Sequence, residues 1–456
     1  MAKVKKVFIC SNCGTHSPKW IGKCNACGEW NTYQEEIISR QEEKRAGTKT
    51  LQRVTTQVKA IPLTDIKPSD NQRFSTRDAE FDRVLGGGLI AGALVLLGGQ
   101  PGIGKSTLLL QIALGIDKKV LYVSGEESAQ QIKLRSDRIQ KGVNHCLILT
   151  ETNIEKIIQQ AVEIQPELLV IDSIQTLYSP HLDSIIGSIS QIKECAAALQ
   201  RFAKETHIPT IIIGHITKEG SIAGPKLLEH IVDTVLQFEG DQNYLYRIIR
   251  TLKNRFGSTD ELGIYQMLAN GLRAVDNPSE LLISQKDSDL SGSAIAATVE
   301  GMRPMLIETQ SLVSQAVFGT PQRSATGFNL RRLNMLLAVL EKRCGFPLAK
   351  FDVFLNIAGG IKVDDPAIDL AILTSLISSF EDISVPSTYC FAAEVGLSGE
   401  LRAISRVEQR IQEADRLGFK KIFISKNNMK GLDQSKYQIQ VIAVSKLETF
   451  YAALFQ

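Results

Sequence analysis

Two groups of residues have the types and the spacing to do chemistry. The first is Gly99, Gln100, Pro101, Gly102, Ile103, Gly104, Lys105 and Ser106, with Thr107 after it: GQPGIGKST, a complete G-x-x-x-x-G-K-[ST] match. Glycines in such a loop let consecutive backbone N–H groups turn inward on phosphate oxygens. Lys105 adds a point charge for the β- and γ-phosphates, and Ser106 offers a hydroxyl to Mg2+. The loop follows the apolar run ALVLLG and opens the helix-like KSTLLLQIALG, the strand–loop–helix setting that the motif requires. The chemistry it predicts is binding of ATP with Mg2+.

The second group is Cys10, Cys13, Cys24 and Cys27, spaced C-x2-C-x10-C-x2-C, each pair followed by Gly. Four soft thiolates brought together by two tight turns predict a tetrahedral Zn2+ site. Trp20 and Trp30, the only tryptophans, flank the second knuckle beside Lys19 and Lys23. Packing in the tiny core of the ribbon is the expectation for them, ahead of base stacking; the partner of the ribbon, DNA or protein, stays open.

Further acidic groups fall where the nucleotide cleft would need them. LLVIDS ends an apolar strand on Asp172, placed to hold the Mg2+ shell with Ser106. VLYVSGEES empties a strand into Glu126 and Glu127, either of which could activate the attacking water. His215, ending TIIIGH, could sense the γ-phosphate or be only structural.

The elements that must position these groups alternate. Between Ile61 and Val275, short β-branched runs alternate with longer amphipathic ones, which predicts a parallel sheet covered by helices on both faces. VDTVLQFEG and NYLYRIIRTLK, joined by GDQN, read as an appended antiparallel hairpin. The expected divisions are a zinc ribbon over 1–30, a polar linker over 31–60, an α/β ATPase core over 61–275, a short linker over 276–289 and an α+β domain over 290–456. A net charge of +3 is too small by itself to indicate nucleic acid. No signal-peptide pattern or apolar run of about 18 residues occurs, which predicts a cytoplasmic chain with no membrane partner.

In order, CSNCG, CNACG, GQPGIGKST, GEES, VIDSIQT, GHITKEG and KNRFG resemble the RadA (Sms) family of bacterial DNA repair proteins over essentially the whole chain. The resemblance implies a RecA-type P-loop ATPase with a zinc ribbon before it and a Lon-protease-like domain after it. It implies a DNA-dependent ATPase working as a homo-hexameric ring on single-stranded and branched DNA, branch-migrating recombination intermediates, with a RecA-type recombinase as a possible partner. In RecA-fold ATPases the catalytic glutamate stands at this strand end, which favours Glu126 over Glu127. Lys253 and Arg255 of KNRFG suit cations delivered in trans to a neighbour's γ-phosphate.

The third block is similar to the proteolytic domain of Lon proteases, which needs a Ser nucleophile and a Lys. Matching DDPAIDLAI to the serine-bearing helix start puts Ala367 at the nucleophile, and the lysine position falls on Glu408, so the resemblance implies a fold kept without the protease chemistry. Between Thr309 and Phe351 the only acid is Glu341, against Arg323, Arg331, Arg332, Lys342, Arg343 and Lys350. One face there could track a phosphate backbone, or be merely solvated. Two rivals to a DNA motor remain, an ATP-dependent protease and a signalling ATPase that uses ATP only to control assembly.

Overall fold

The computed structural model describes residues 4–10, 15–39, 62, 73–139, 145–215, 225–240, 246–275, 277–283, 290–316 and 319–455. Cys13 and most of the polar segment after residue 39 lie outside the described residues. By contacts the chain forms two compact units, one of Met1–Glu239, Ile248–Thr259 and Met267–Ala274, the other of Gly240–Arg247, Asp260–Gln266 and Val275–Gln456.

Strands β1 (Val4–Cys10), β2 (His16–Ser17) and β3 (Tyr33–Ser39) make the N-terminal sheet, in the order β2-β1-β3. β3 runs nine residues past residue 30, because YQEEIIS pairs in antiparallel register with VKKVFIC, from Val4 opposite Ser39 to Cys10 opposite Tyr33. The small core beneath is Cys10, Cys24 and Tyr33, with Phe8, Ile21 and Cys27 packed on it.

The sheet that carries the phosphate loop is built on β4 (Leu94–Gly99), β5 (Val120–Ser124), β6 (Cys146–Thr150), β7 (Leu168–Asp172), β8 (Thr210–His215), β9 (Thr234–Glu239), β10 (Tyr246–Asn254), β11 (Leu262–Leu268) and β12 (Gly271–Ala274). They form one sheet ordered β12-β11-β10-β9-β4-β8-β7-β5-β6. From β9 to β6 the strands are parallel, and β4, β5 and β7 are buried along their whole length, as expected of strands covered on both faces. The core between this sheet and its helices contains Leu94, Val123, Ile171, Ile192, Leu199 and Ile212. The predicted hairpin is present: β10 pairs with β9 antiparallel, Ile248 opposite Glu239 and Asn254 opposite Thr234. Because the parallel strands end together, their C-terminal ends bring Gly99, Ser124, Asp172 and His215 to one edge.

The second unit carries β13 (Ser293–Glu300), β14 (Arg303–Gln315), β15 (Arg323–Thr326), β16 (Phe351–Ile357), β17 (Tyr389–Ala392), β20 (Lys421–Ser425) and β21 (Gln440–Val444) in one mixed sheet, with β18 (Glu394–Val395) and β19 (Leu401–Arg402) as a separate pair. The helix Asp369–Glu381 is buried through most of its length. At its start Ala367 is fully buried and its N–H donates to the Asp365 carboxylate at 3.0 Å. Arg410, 2% exposed, lies 2.6 Å from the other Asp365 oxygen and also donates to the Ala297 carbonyl at 2.8 Å. Glu408, two residues earlier, is exposed. Arg410→Met would leave the Asp365 charge buried and unpaired, which costs about 3–5 kcal/mol. The expected result is a clearly lower urea midpoint for the unfolding of this unit, and an unchanged midpoint would show that the pair contributes nothing.

Candidate active site and zinc centre

The phosphate loop joins the end of β4 to the helix Lys105–Gly115, with Gly104 as the residue before its first turn. Gly104 has φ +118°, and a Cβ there would stand 2.8 Å from Met267 Cε, so only glycine fits both the turn and the space. Lys105, 4% exposed, donates to the Gly99 carbonyl at 2.7 Å, the Gln100 carbonyl at 2.9 Å and His215 Nδ1 at 3.3 Å. Burial lowers its pKa to about 8, against the opposing pull of Asp172 and Glu126.

Asp172 ends β7 buried, and accepts the Tyr122 hydroxyl at 2.7 Å; burial and then the neighbouring carboxylate push the Tyr122 phenol well above its ordinary pKa, so it stays a donor. Glu126 accepts from Ser173 at 2.6 Å and lies 3.2 Å from His215 Nε2. With Nδ1 facing the Lys105 ammonium, the ring carries its proton on Nε2 and donates it to Glu126. Burial alone would raise the Glu126 pKa, but these two hydrogen bonds and the Lys105 charge hold it below its ordinary value. Glu127 turns away: its N–H donates to Ser124 Oγ and its carboxylate pairs with Arg135. The position before Glu126 has no room for a side chain, since a Cβ on Gly125 would stand 2.1 Å from Thr176 Oγ1.

Lys105, Ser106, Glu126, Asp172 and His215 thus converge on one sheet edge, a donor set that fits a nucleotide triphosphate and Mg2+: a cation and backbone N–H groups for phosphate, a hydroxyl and a carboxylate for the metal, a second carboxylate for water. Sequence reasoning missed Tyr122 and Ser173, whose roles depend on the β5–β7 register; adjacency to Asp172 was the one available signal for Ser173. Because the Lys105 ammonium must be charged to meet phosphate, metal-free ATP affinity should hold to about pH 7 and fall about ten-fold per unit above about 8. Lys105→Ala should bind more weakly but without that slope. A flat native profile between pH 7 and 9 would refute the assignment.

Lys253 and Arg255 are not in this cluster. Val95 pairs with Thr234, and Thr234 with Asn254, so KNRFG stands at the beginning of β4, opposite the end that carries the phosphate loop. Five residue steps of about 3.3 Å separate these ends by about 17 Å. The Lys253 ammonium donates to the Glu229 and Val232 carbonyls, and burial, then Arg255, lowers its pKa. Arg255, 52% exposed, lies 3.5 Å from Asp233, a buried carboxylate that also receives Lys204 at 2.7 Å and the Leu94 N–H at 3.0 Å.

In the ribbon, the sulfurs of Cys10, Cys24 and Cys27 lie within 4.8 Å of one another, with Cys10 and Cys27 at 3.7 Å. Thiolates about 2.3 Å from a zinc ion stand about 3.8 Å apart at the corners of a tetrahedron, so the spacing fits Zn2+. Thr32 Oγ1, 3.1 Å from Cys10 Sγ, and Tyr33 Oη, 3.6 Å from Cys24 Sγ, can donate to the thiolates. Purified protein is expected to carry one Zn2+ per chain and Cys10→Ser to lose it; metal analysis finding unchanged stoichiometry in the variant would overturn the site.

Two expectations need correction or narrowing. Trp20 and Trp30 do not pack the ribbon core: they are 53% and 67% exposed, because Tyr33, Phe8 and Ile21 already fill it. Among the cations between Thr309 and Phe351, Arg332 is turned to the buried Asp369, with bonds of 2.7 and 2.5 Å.

Family models match in three stretches: an AAA domain over 61–221, a rubredoxin metal binding domain over 8–35 and subunit ChlI of Mg-chelatase over 309–428. Fold and site together define an ATPase with a RecA-like P-loop core, a zinc ribbon before it and a Lon-like domain after it, using ATP, Mg2+ and Zn2+. The DNA repair protein RadA of Bacillus subtilis (strain 168) is 50% identical over 98% of both chains; that of Listeria monocytogenes is 47% identical over 98% of both, and that of Streptococcus pyogenes serotype M3 is 45% identical over the full length of both. The chain belongs to the RadA family of DNA repair proteins. Similar solved structures include a KaiC-like protein from Pyrococcus horikoshii OT3 (TM-score 0.37, 22% identity, 45% of this chain and 99% of that one) and the RadB recombinase (0.36, 22%, 44% and 99%). No helix among the described residues is long and apolar enough to cross a membrane.

Proposed function

We propose that this chain is a cytoplasmic, DNA-dependent ATPase that assembles as a homo-hexameric ring and moves along single-stranded and branched DNA, branch-migrating intermediates in recombinational repair, in company with a RecA-type recombinase. Its working parts would be the ribbon at 1–30, the ATPase core at 61–275 and the Lon-like domain at 290–456. In each subunit Lys105 meets the β- and γ-phosphates, Ser106 and Asp172 hold Mg2+, and Glu126 takes the proton of the attacking water. Held by Ser106 and Asp172, Mg2+ would supply neutralisation of the phosphate charge. Ser173 and His215 keep the Glu126 carboxylate aimed and ionised.

The observation that carries the motor reading is the place of Arg255, half exposed and one strand length from its own phosphate loop. A cation so placed is useful to hydrolysis only at a neighbour's site, which ties turnover to the interface between subunits. The protease rival is disfavoured by the buried methyl of Ala367 and the exposed carboxylate of Glu408, neither of which supplies a nucleophile or a lysine; absence of casein degradation is the expected result. The decisive measurement is ATP turnover with and without single-stranded DNA, together with ATP-driven branch migration on a forked substrate. Turnover indifferent to DNA would favour the signalling ATPase instead.

A further inference from the structure

We propose that Trp20 and Trp30, with Lys19 and Lys23, form a stacking site for single-stranded DNA on the outer face of the zinc ribbon; this rests on the reading that the chain acts on DNA. Both indoles are largely in water, in a domain so small that it would gain most from burying them. The zinc knuckle itself sets the place of Trp30. The Asn31 N–H donates to the Gly22 carbonyl at 2.7 Å, Lys23 and Trp30 pair as an antiparallel bridge, and the Cys24 N–H donates to the Glu29 carbonyl at 2.8 Å. The six-membered rims of the two rings converge over Gly22: a Cβ there would lie 3.7 Å from Trp20 Cη2 and 3.8 Å from Trp30 Cζ3. A side chain at that position would fill the space between the rims, and glycine leaves it open.

Charge selects the occupant. The Lys23 ammonium sits over the Trp30 ring, 5.6 Å from its centre, Lys19 is exposed next to Trp20 in sequence, and Glu29 is the only acid between Thr15 and Thr32. Aromatic faces with cations beside them suit a strand whose bases are unstacked and whose backbone is anionic. Duplex DNA hides its base faces, so the single strand is the form that fits. Every base has a π face, so the contact would be indifferent to sequence.

Because these are the only two tryptophans, the native chain reports on its own ribbon. Titrating full-length protein with an oligothymidylate of about 20 nucleotides should quench the tryptophan emission, while turnover of ATP in the same solution follows engagement of the ATPase core. The doubly substituted chain, Trp20→Ala with Trp30→Ala, should keep its zinc and its DNA-free turnover. By anisotropy of a labelled strand it should bind oligothymidylate about ten-fold more weakly. Stimulated turnover with unchanged emission would overturn the stacking site and leave the motor reading standing. No stimulation and no quenching would overturn both. An emission change produced by a purified RecA-fold recombinase, and not by DNA, would make this a protein-docking face and overturn the proposal.

Discussion

Lys105→Ala is expected to lower ATP turnover by 10³-fold or more. Nothing else in GQPGIGKS carries a positive charge, so the variant's own loop has no cation to meet the β- and γ-phosphates as charge develops. The structure adds a second loss. Lys105 bridges the Gly99 and Gln100 carbonyls and His215 Nδ1, and His215 in turn holds Glu126. Removing the ammonium withdraws the charge that faces Nδ1, so the imidazole is free to change tautomer and the Glu126 carboxylate loses one of its two fixed donors. Lys105→Arg should fare little better, since a guanidinium fork does not fit a site that leaves only 4% of the lysine exposed. Phosphate release under saturating ATP is the measurement, and turnover near the native rate would end the assignment. Asp172→Asn should weaken activity by a different route, and added Mg2+ should partly restore it, because the variant keeps an oxygen ligand but loses a charge.

What could be read from sequence was what is local. The phosphate loop and the cysteine knuckles are contiguous, so their chemistry is written in adjacent letters. Asp172 was legible because it ends an apolar run. The letters around Glu126 and Glu127 did not separate them; what distinguishes them in the structure is that Ser124 bonds the Glu127 N–H and Arg135 on the following helix takes its carboxylate. Tyr122 could not be seen at all, since its bond to Asp172 exists only once β5 and β7 lie in register. The tryptophans misled because hydrophobicity argues for burial, whereas which side chains fill a core this small depends on three-dimensional packing. β3 was obscured by composition: Glu35 and Glu36 make the segment look like linker, and its pairing with β1 is a long-range property. Asp233 gave no signal as a buried acid in VDTVLQFEG, yet it joins Lys204, Arg255 and the first residue of β4.

Arg255→Ala should leave nucleotide binding nearly intact and lower turnover by about 10³-fold or more. A cation that meets the γ-phosphate mainly as charge builds up stabilises the transition state more than the ground state, so kcat should fall much further than affinity. The fold should tolerate the change: Asp233 keeps Lys204 and the Leu94 N–H as partners, and the Arg255 side chain is half exposed. Lys253 is a poorer candidate for the same role, because its ammonium already caps the Glu229 and Val232 carbonyls; Lys253→Ala should disturb the end of β10 and lower stability along with turnover. Mixing separates action in trans from action in cis. Lys105→Ala chains lack a working phosphate loop but keep Arg255, and Arg255→Ala chains have the reverse. Combined in one ring, some interfaces would join an intact loop to an intact cation, and turnover should rise above that of either variant alone. If mixed rings form, as subunit exchange between labelled chains would show, and turnover does not recover, Arg255 acts on something other than a neighbour's phosphate.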